Sequence, residues 1–200
     1  MELIRQSCQW VTPPPVNTLE ILELCGRVAY KSEDKITPGS AEKFLSLILT
    51  KKHESVLEHV GASMRFITDR GVSHELVRHR IASFTQESSR YVNYSKRGMQ
   101  FVIPVDIDYN SWQYTYWLNH MNDSDWRYNA LVEGGASPQL ARSVLPNSLK
   151  TEIVVTANLR EWRYILKLRT DKTAHPQMQD LMRQALAMFK EAGPILFDDI

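Results

Sequence analysis

One stretch of the chain, residues 151–170, constrains the fold more than any other. Its first part, Thr151-Glu-Ile-Val-Val-Thr-Ala157, is β-branched and apolar at its centre, which is typical of a strand. Asn158 follows, with Glu161 three residues later, a pattern that predicts a helix capped by the Asn158 side chain. Helical spacing then predicts a buried stripe of Leu159, Trp162, Ile165 and Leu166. The fold must therefore contain a strand that runs directly into a helix.

The remaining pattern predicts further helices of uneven length and one more strand. Asn17 with Glu20, and Ser55 with Glu58, look like capping boxes, and Asp69-Arg-Gly71 predicts a turn. We predict helices over 17–30, from Thr37-Pro38 to about 50, over 73–79, 111–132 and 137–144, and from Pro176, and a strand over 62–68. Because the strands and helices do not alternate regularly, we expect an α+β fold with a central, mainly antiparallel sheet flanked by helices, forming one domain over residues 1–200.

Charge and composition exclude several classes of protein. The 200 residues include 24 Lys+Arg and 23 Asp+Glu, a formal net charge of +1. This balance argues against a protein that coats nucleic acid, so any anion site has to be local. No apolar run reaches the length needed to span a bilayer, and we expect a soluble cytoplasmic protein that does not bind membranes. Cys8 and Cys25 are too few for a disulfide scaffold and are interpreted as packing residues.

Familiar catalytic motifs are absent or wrongly spaced. His74 and His79 are five residues apart, about 140° around a helix, so they cannot both face one zinc ion. His53 and His59 are six residues apart and cannot do so either. We therefore expect no metal site. The sequence contains no Gly-x-Ser-x-Gly elbow, no Gly-x-Gly-x-x-Gly and no P-loop. Neither cysteine has a neighbouring base that would make it a nucleophile.

The segment 77–91, VRHRIASFTQESSRY, concentrates arginines and serines. Guanidinium groups bind phosphate oxygens bidentately, and serine hydroxyls donate to the same oxygens. The alternative is a solvated surface in which the arginines pair with Glu75 and Glu87. Its apolar residues suggest a loop anchored on a core: Ile81, Phe84 and Tyr91. A second basic group lies later in the chain: Arg142, Arg160, Arg163 and Arg169. Two such groups predict a multiply phosphorylated ligand.

These residues also resemble a known family. Arg78-His79-Arg80, seven residues and then Ser88 resemble the RHR-x7-S signature of the flavin-dependent thymidylate synthases, which are unrelated to the cysteine-dependent enzyme. Further matches occur in the family's order: His53-x-Ser55-x-x-Glu58-His59, SSRY at 88–91, ARSVLP at 141–146 and NLREWRYILKLR at 158–169. The resemblance covers roughly residues 15–190.

The resemblance implies an activity and a set of ligands. Members methylate dUMP at C5 of uracil to give dTMP, with methylenetetrahydrofolate as carbon donor and FAD reduced by NADPH. It also implies a homotetramer whose active sites are shared between subunits. The implied partners are therefore dUMP, folate and a nicotinamide nucleotide, without nucleic acid.

The resemblance assigns roles to individual residues. The implied cofactor contacts are His53, Ser55, Arg78, His79, Arg80, Gln86, Asn158 and Arg160. The implied dUMP contacts are Glu75, Arg78, Glu87, Ser88, Ser89, Arg90, Arg142 and Arg169. Arg169 is the expected catalytic residue, because a cation beside a pyrimidine carbonyl favours negative charge on the ring. Ser88 is interpreted as a binding hydroxyl, and Tyr164, which stands where some relatives have an asparagine, receives no cofactor role.

Two other functions stay open on the sequence alone. A single-stranded nucleic-acid binding module would use the arginines with Tyr91 or Tyr94 as phosphate and stacking contacts. A non-catalytic relative would keep the fold without the activity.

Overall fold

The computed structural model describes residues 1–200 and contains six strands and nine α-helices. The strands are β1 (Glu2–Ile4), β2 (Ser7–Thr12), β3 (Gly61–Asp69), β4 (Ser83–Gln86), β5 (Gln100–Val102) and β6 (Lys150–Asn158). The helices are α1 (Thr18–Val28), α2 (Ser40–Thr50), α3 (Arg70–Leu76), α4 (Tyr94–Arg97), α5 (Trp112–Glu133), α6 (Pro138–Ala141), α7 (Leu159–Thr170), α8 (Pro176–Ala192) and α9 (Pro194–Phe197). Short 3₁₀ helices cover Glu33–Lys35, Glu54–His59 and Arg142–Val144.

The strands form two sheets. The larger has the order β2-β3-β6-β4, and the fold is a mixture of helices with an antiparallel sheet, which confirms the predicted α+β class. The smaller pairs β1 with β5 in parallel, with Glu2 opposite Gln100 and Ile4 opposite Val102. None of the nine helices combines the length and the apolar character needed to cross a membrane.

The chain divides into two compact units, and the first comprises Met1–Ser7, Phe66–Arg78 and Thr85–Ile153. Its core is aromatic and methionine-rich, with the rings of Tyr94 and Tyr128 packed edge to face at 5.7 Å. The other buried members are Met99, Phe101, Met121, Ala141 and Leu149. Helix α5 confirms the helix predicted in this region, and Gly134 follows its last residue as expected.

The second unit comprises Cys8–Arg65, His79–Phe84 and Val154–Ile200. Helix α8, the helix predicted from Pro176, supplies a methionine-rich stripe whose five members are fully buried: Met178, Leu181, Met182, Ala185 and Phe189. The ring of Phe189 packs against those of Trp162 and Phe197, at 5.0 and 4.8 Å. Cys8 lies here with its Sγ 3.7 Å from Sδ of Met188, and burial raises the pKa of its thiol to about 11. A thiol that stays protonated at neutral pH is a packing group, as predicted.

Several local predictions are wrong. Ser55 does not begin a capping box, because it lies inside a 3₁₀ helix whose N-cap is His53. Pro38 precedes α2, which begins at Ser40 after Gly39 in the left-handed region (φ +81°). Asp69 is not part of a turn. Its Oδ1 accepts from the N–H of Val72 over 2.7 Å and so caps α3, which starts at once.

The segment 77–91 also differs from its predicted loop. It contains β4, and two of its three proposed anchors are on the surface, with Ile81 74% and Tyr91 79% exposed. Phe84 is half-buried. Apolar residues therefore anchor this segment less than predicted.

Candidate active site

The junction of β6 and α7 begins the site in the second unit. Asn158 ends the strand, and its Oδ1 accepts from the N–H of Glu161 over 2.9 Å, which confirms the predicted N-cap. The predicted stripe of α7 is fully buried, and Nε1 of Trp162 donates to the carbonyl of Ala62 over 3.0 Å. A rigid strand and a capped, anchored helix thus fix the positions of the polar residues on α7.

A cavity of ≈ 850 Å³ opens beside the first turns of α7. Asn158 and Arg160, two predicted cofactor residues, line it together with Tyr164. Its other lining residues are Leu49, Lys52, Glu54, Glu58, Ile81, Glu161, Arg163, Lys167, Asp199 and Ile200. Nη1 of Arg160 donates to Oε1 of Glu58 over 2.5 Å, in a pair whose side chains are 51% and 45% exposed. An ion pair this exposed contributes little to the stability of the fold, so Arg160 can readily exchange Glu58 for another partner.

His79 lies in the interior of the second unit, only 5% exposed. Nε of Arg169 donates to its Nε2 over 3.0 Å, and Oε1 of Glu161 lies 3.5 Å from its Nδ1. Burial first, and the charge of Arg169 second, lower the pKa of His79 from its ordinary 6.5 to about 4. The imidazole is therefore neutral at physiological pH.

Arg163 is wrongly placed among the ligand-binding arginines. It is 7% exposed, and its two terminal nitrogens donate to both carboxylate oxygens of Asp199 over 2.7 Å. Nη1 also donates to the carbonyl of Leu196. Because these partners occupy both terminal nitrogens, Arg163 holds the segment from Leu196 to Asp199 in place.

In the first unit, Glu87 is the centre of a hydrogen-bond network. Its carboxylate accepts from the hydroxyl of Tyr94 and from Nζ of Lys150, each over 2.9 Å. Lys150 also contacts Oε1 of Glu152 at 2.5 Å, and the N–H of Glu87 donates to the carbonyl of Glu152 over 2.8 Å. These contacts hold the side chain of Glu87 in one orientation.

The neighbouring serines have different environments. Ser89 is buried, and its Oγ accepts from Nη1 of Arg142 over 3.3 Å, so the structure brings these two predicted dUMP residues together. Oγ of Ser88 accepts only from the N–H of Arg90, over 3.4 Å. No histidine or carboxylate hydrogen-bonds the Ser88 hydroxyl, so the structure provides no base for a serine nucleophile.

Comparisons with known proteins decide the family. The family described as Thymidylate synthase complementing protein matches residues 16–195. A flavin-dependent thymidylate synthase of Geobacter sulfurreducens is 35% identical over 185 residues, covering 88% of this chain and 79% of that protein. Another, of Pyrococcus horikoshii, is 35% identical over 196 residues, covering 92% and 80%. The chain belongs to the flavin-dependent thymidylate synthase family. Membership confirms the predicted resemblance, makes the chain an enzyme and implies a flavin cofactor.

A solved structure supports the same fold. The UMP/dUMP methylase PolB from Streptomyces cacaoi, bound with 5-Br dUMP, is similar to this chain with a TM-score of 0.83 and 21% identity. The match covers 99% of this chain and 96% of PolB. At that identity the likeness establishes the fold of this family member and not its ligands.

The structure distributes the other predicted site residues between surface and interior. His53, Ser55, Arg78, Arg80 and Arg90 are exposed, and Glu75 is half-buried. Nε2 of Gln86 donates to Oγ of Ser73 over 2.8 Å and to Oγ1 of Thr151 over 3.2 Å. The Gln86 amide therefore already has partners inside the first unit. The ligand roles of all these residues stay predictions.

Three residues of the site have contacts that the sequence does not predict. Tyr94 and Lys150 hold Glu87 through hydrogen bonds. Glu161 contacts His79 through its side chain, whereas the sequence pattern indicates only its position in the capped first turn. Lys150 directly precedes the apolar run that predicts a strand over 151–157. A lysine at that position is the one local indication of a charged partner at the end of the strand. Tyr94 stands in an aromatic-rich region that gives no such hint.

Proposed function

We propose that this family member converts dUMP to dTMP, with methylenetetrahydrofolate as carbon donor and FAD reduced by NADPH. C5 of uracil loses its proton and gains the methylene carbon, and two electrons and a proton derived from NADPH reduce that carbon to a methyl group. Tetrahydrofolate and NADP⁺ are the other products. When bound, the flavin supplies the hydride.

The hydrogen bond between Arg169 and the neutral, buried His79 is the observation that carries the proposal. The bond joins Nε of the guanidinium to Nε2 of the imidazole over 3.0 Å and so fixes the direction of the Arg169 side chain. A fixed cation beside a pyrimidine carbonyl stabilises negative charge on the ring and raises the nucleophilicity of C5. The ring then attacks the methylene carbon without a covalent bond to the enzyme, in keeping with two cysteines that have no activating base.

The cavity beside α7 fits a flavin dinucleotide. Its volume of ≈ 850 Å³ lies within the range of about 300–1,000 Å³ typical of ligand sites. Arg160, Lys52 and Lys167 line it and supply the cations that a diphosphate requires. We propose that Arg160 leaves Glu58 to bind the cofactor, and that Asn158, His53, Ser55, Arg78, His79, Arg80 and Gln86 complete its contacts.

The network around Glu87 suits a nucleotide. We propose that Glu87 binds the sugar or base as a hydrogen-bond acceptor, while Arg142, held beside Ser89, binds the phosphate. The remaining proposed dUMP contacts are Glu75, Arg78, Ser88 and Arg90. Residues from different protomers meet the same substrates if the enzyme is a homotetramer with shared sites, and we propose this assembly in the cytoplasm.

The visible absorption spectrum tests the proposal. We expect the purified protein to be yellow, or to become yellow with FAD, and to bleach when NADPH is added. Formation of dTMP should require both dUMP and methylenetetrahydrofolate. A colourless protein that takes up no flavin would contradict the proposal.

A further inference from the structure

The bond between Arg169 and His79 identifies the imidazole nitrogen that carries the proton. A guanidinium only donates hydrogen bonds, so Nε2 of His79 must offer its lone pair to Nε of Arg169. In a neutral imidazole the other nitrogen then carries the proton. His79 is therefore the Nδ1–H tautomer.

Nδ1 of His79 faces the carboxylate of Glu161, whose Oε1 lies 3.5 Å away. Glu161 stands in the first turn of α7 and Arg169 in the last, so the buried histidine connects the two ends of one helix. The order is carboxylate, imidazole and guanidinium, with each contact orienting the next group.

Glu161 has no evident structural reason to be a carboxylate. It is 7% exposed, and burial raises its pKa above the ordinary 4.5. Its backbone N–H provides the contact with the Asn158 cap, so that contact does not need the side chain. His79 is the one hydrogen-bonding or ionic group of this chain that the carboxylate meets. Burying an ionisable group with a single partner costs free energy, and an apolar side chain would avoid that cost.

We propose that Glu161 is a positioning residue for Arg169, because it holds His79 in the Nδ1–H tautomer that accepts the Arg169 hydrogen bond. The inference rests on the catalytic role proposed for Arg169. Without the carboxylate, His79 is able to carry its proton on Nε2, where N–H would point at N–H of Arg169. Two donors repel, so the guanidinium would leave its position.

Two substitutions separate this role from a structural one. Glu161→Leu removes the oxygen that faces Nδ1 and keeps the site apolar, while Glu161→Gln keeps a carbonyl oxygen that is able to face Nδ1–H. Glu161→Met replaces the leucine variant if that variant does not fold. The ¹⁵N signals of labelled histidine side chains report the tautomer, and a His79→Gln variant identifies the His79 signal among the six histidines.

We expect wild type and Glu161→Gln to show Nδ1–H at His79, and Glu161→Leu to lose it. Because Glu161 also lines the flavin cavity, the variants are assayed with saturating FAD. In the leucine variant kcat should then fall about 10- to 100-fold with the KM for dUMP little changed, while Glu161→Gln keeps most of the activity. An unchanged His79 tautomer, or unchanged kcat, in the leucine variant would overturn the inference. If wild type forms no dTMP at all, the proposed function fails, and the tautomer measurement still decides whether Glu161 controls His79.

Discussion

Nε of Arg169 donates to Nε2 of His79 over 3.0 Å, joining the proposed catalytic cation to the buried histidine of the Arg78-His79-Arg80 motif. Only a neutral imidazole accepts this bond. Since burial lowers the pKa of His79 to about 4, the bond persists at neutral and mildly acidic pH. The motif thus contributes to the position of Arg169 as well as to the proposed cofactor contacts.

The depressed pKa of His79 makes stability pH-dependent. Above its ordinary pKa of 6.5, His79 is unprotonated in both the folded and the unfolded chain. Between pH 6.5 and about 4 the unfolded chain binds this proton and the folded chain does not, so stability is lost as the pH falls through that window. His79→Gln lacks this titration. In urea denaturation, we expect the free energy of unfolding of wild type, minus that of the variant, to decrease as the pH falls from 6.5 to about 4.

The raised pKa of Glu161 acts in the opposite direction, favouring the folded state as pH falls, and Glu161 is present in both proteins. If the difference in the free energy of unfolding between wild type and His79→Gln stays constant over this pH range, His79 is not held neutral by the fold.

Arg160 is expected to control flavin affinity. Arg160→Ala removes charge-assisted hydrogen bonds to the diphosphate, each of roughly 1.5–3 kcal/mol, so FAD should bind about tenfold more weakly or worse. Arg127 provides a matched control, because it forms a similarly exposed ion pair with Asp123 at 2.7 Å on α5. FAD titration of the apoprotein should find normal affinity in Arg127→Ala. Equal affinities in the two variants would exclude Arg160 from the flavin site.

Tyr94 is expected to support dUMP binding through Glu87. Tyr94→Phe removes the 2.9 Å hydrogen bond to the Glu87 carboxylate and leaves the ring in the core. Loss of one hydrogen bond to a charged group is worth about 1.5–3 kcal/mol, so the KM for dUMP should rise about tenfold. Tyr116→Phe, an exposed position on the same unit, is the control. Steady-state kinetics in which both variants match wild type would show that Glu87 does not need this bond.

Arg163 is expected to affect stability. Arg163→Met breaks its two 2.7 Å contacts with Asp199 and leaves that carboxylate without its partner. We expect the free energy of unfolding to fall by about 1–3 kcal/mol in chemical denaturation. Arg183→Met, at an exposed site on α8, should unfold like wild type. No loss of stability in Arg163→Met would contradict the structural role assigned here.

Local signals in the sequence predicted those elements that local interactions determine. The Asn158 cap and the apolar stripe of α7 depend on residues three or four apart, and the structure confirms both. Strand β4 could not be predicted in this way, since Ser-Phe-Thr-Gln is only four residues long and too short to show a clear alternating pattern, although Phe and Thr favour strands. The tertiary context of the sheet makes it a strand.

The contacts of the candidate site are long-range, and spacing does not reveal them. Lys150 meets Glu87 across 63 residues and Arg169 meets His79 across 90. The ligand-binding role predicted for Arg163 is wrong for a related reason. Arg163 lies four residues after Leu159 and three before Leu166, both fully buried, so its position on α7 directs it inward although its charge suggested a ligand-binding surface.

Thymidylate formation by Arg169→Ala decides whether Arg169 is the catalytic residue. We expect this variant to keep its flavin but to lose about 10²- to 10³-fold or more in kcat, since it lacks the cation that stabilises charge on the ring. Arg183→Ala, on the exposed side of α8, should retain wild-type activity. If Arg169→Ala forms dTMP at nearly the wild-type rate, Arg169 is not the catalytic residue and the proposed mechanism is wrong.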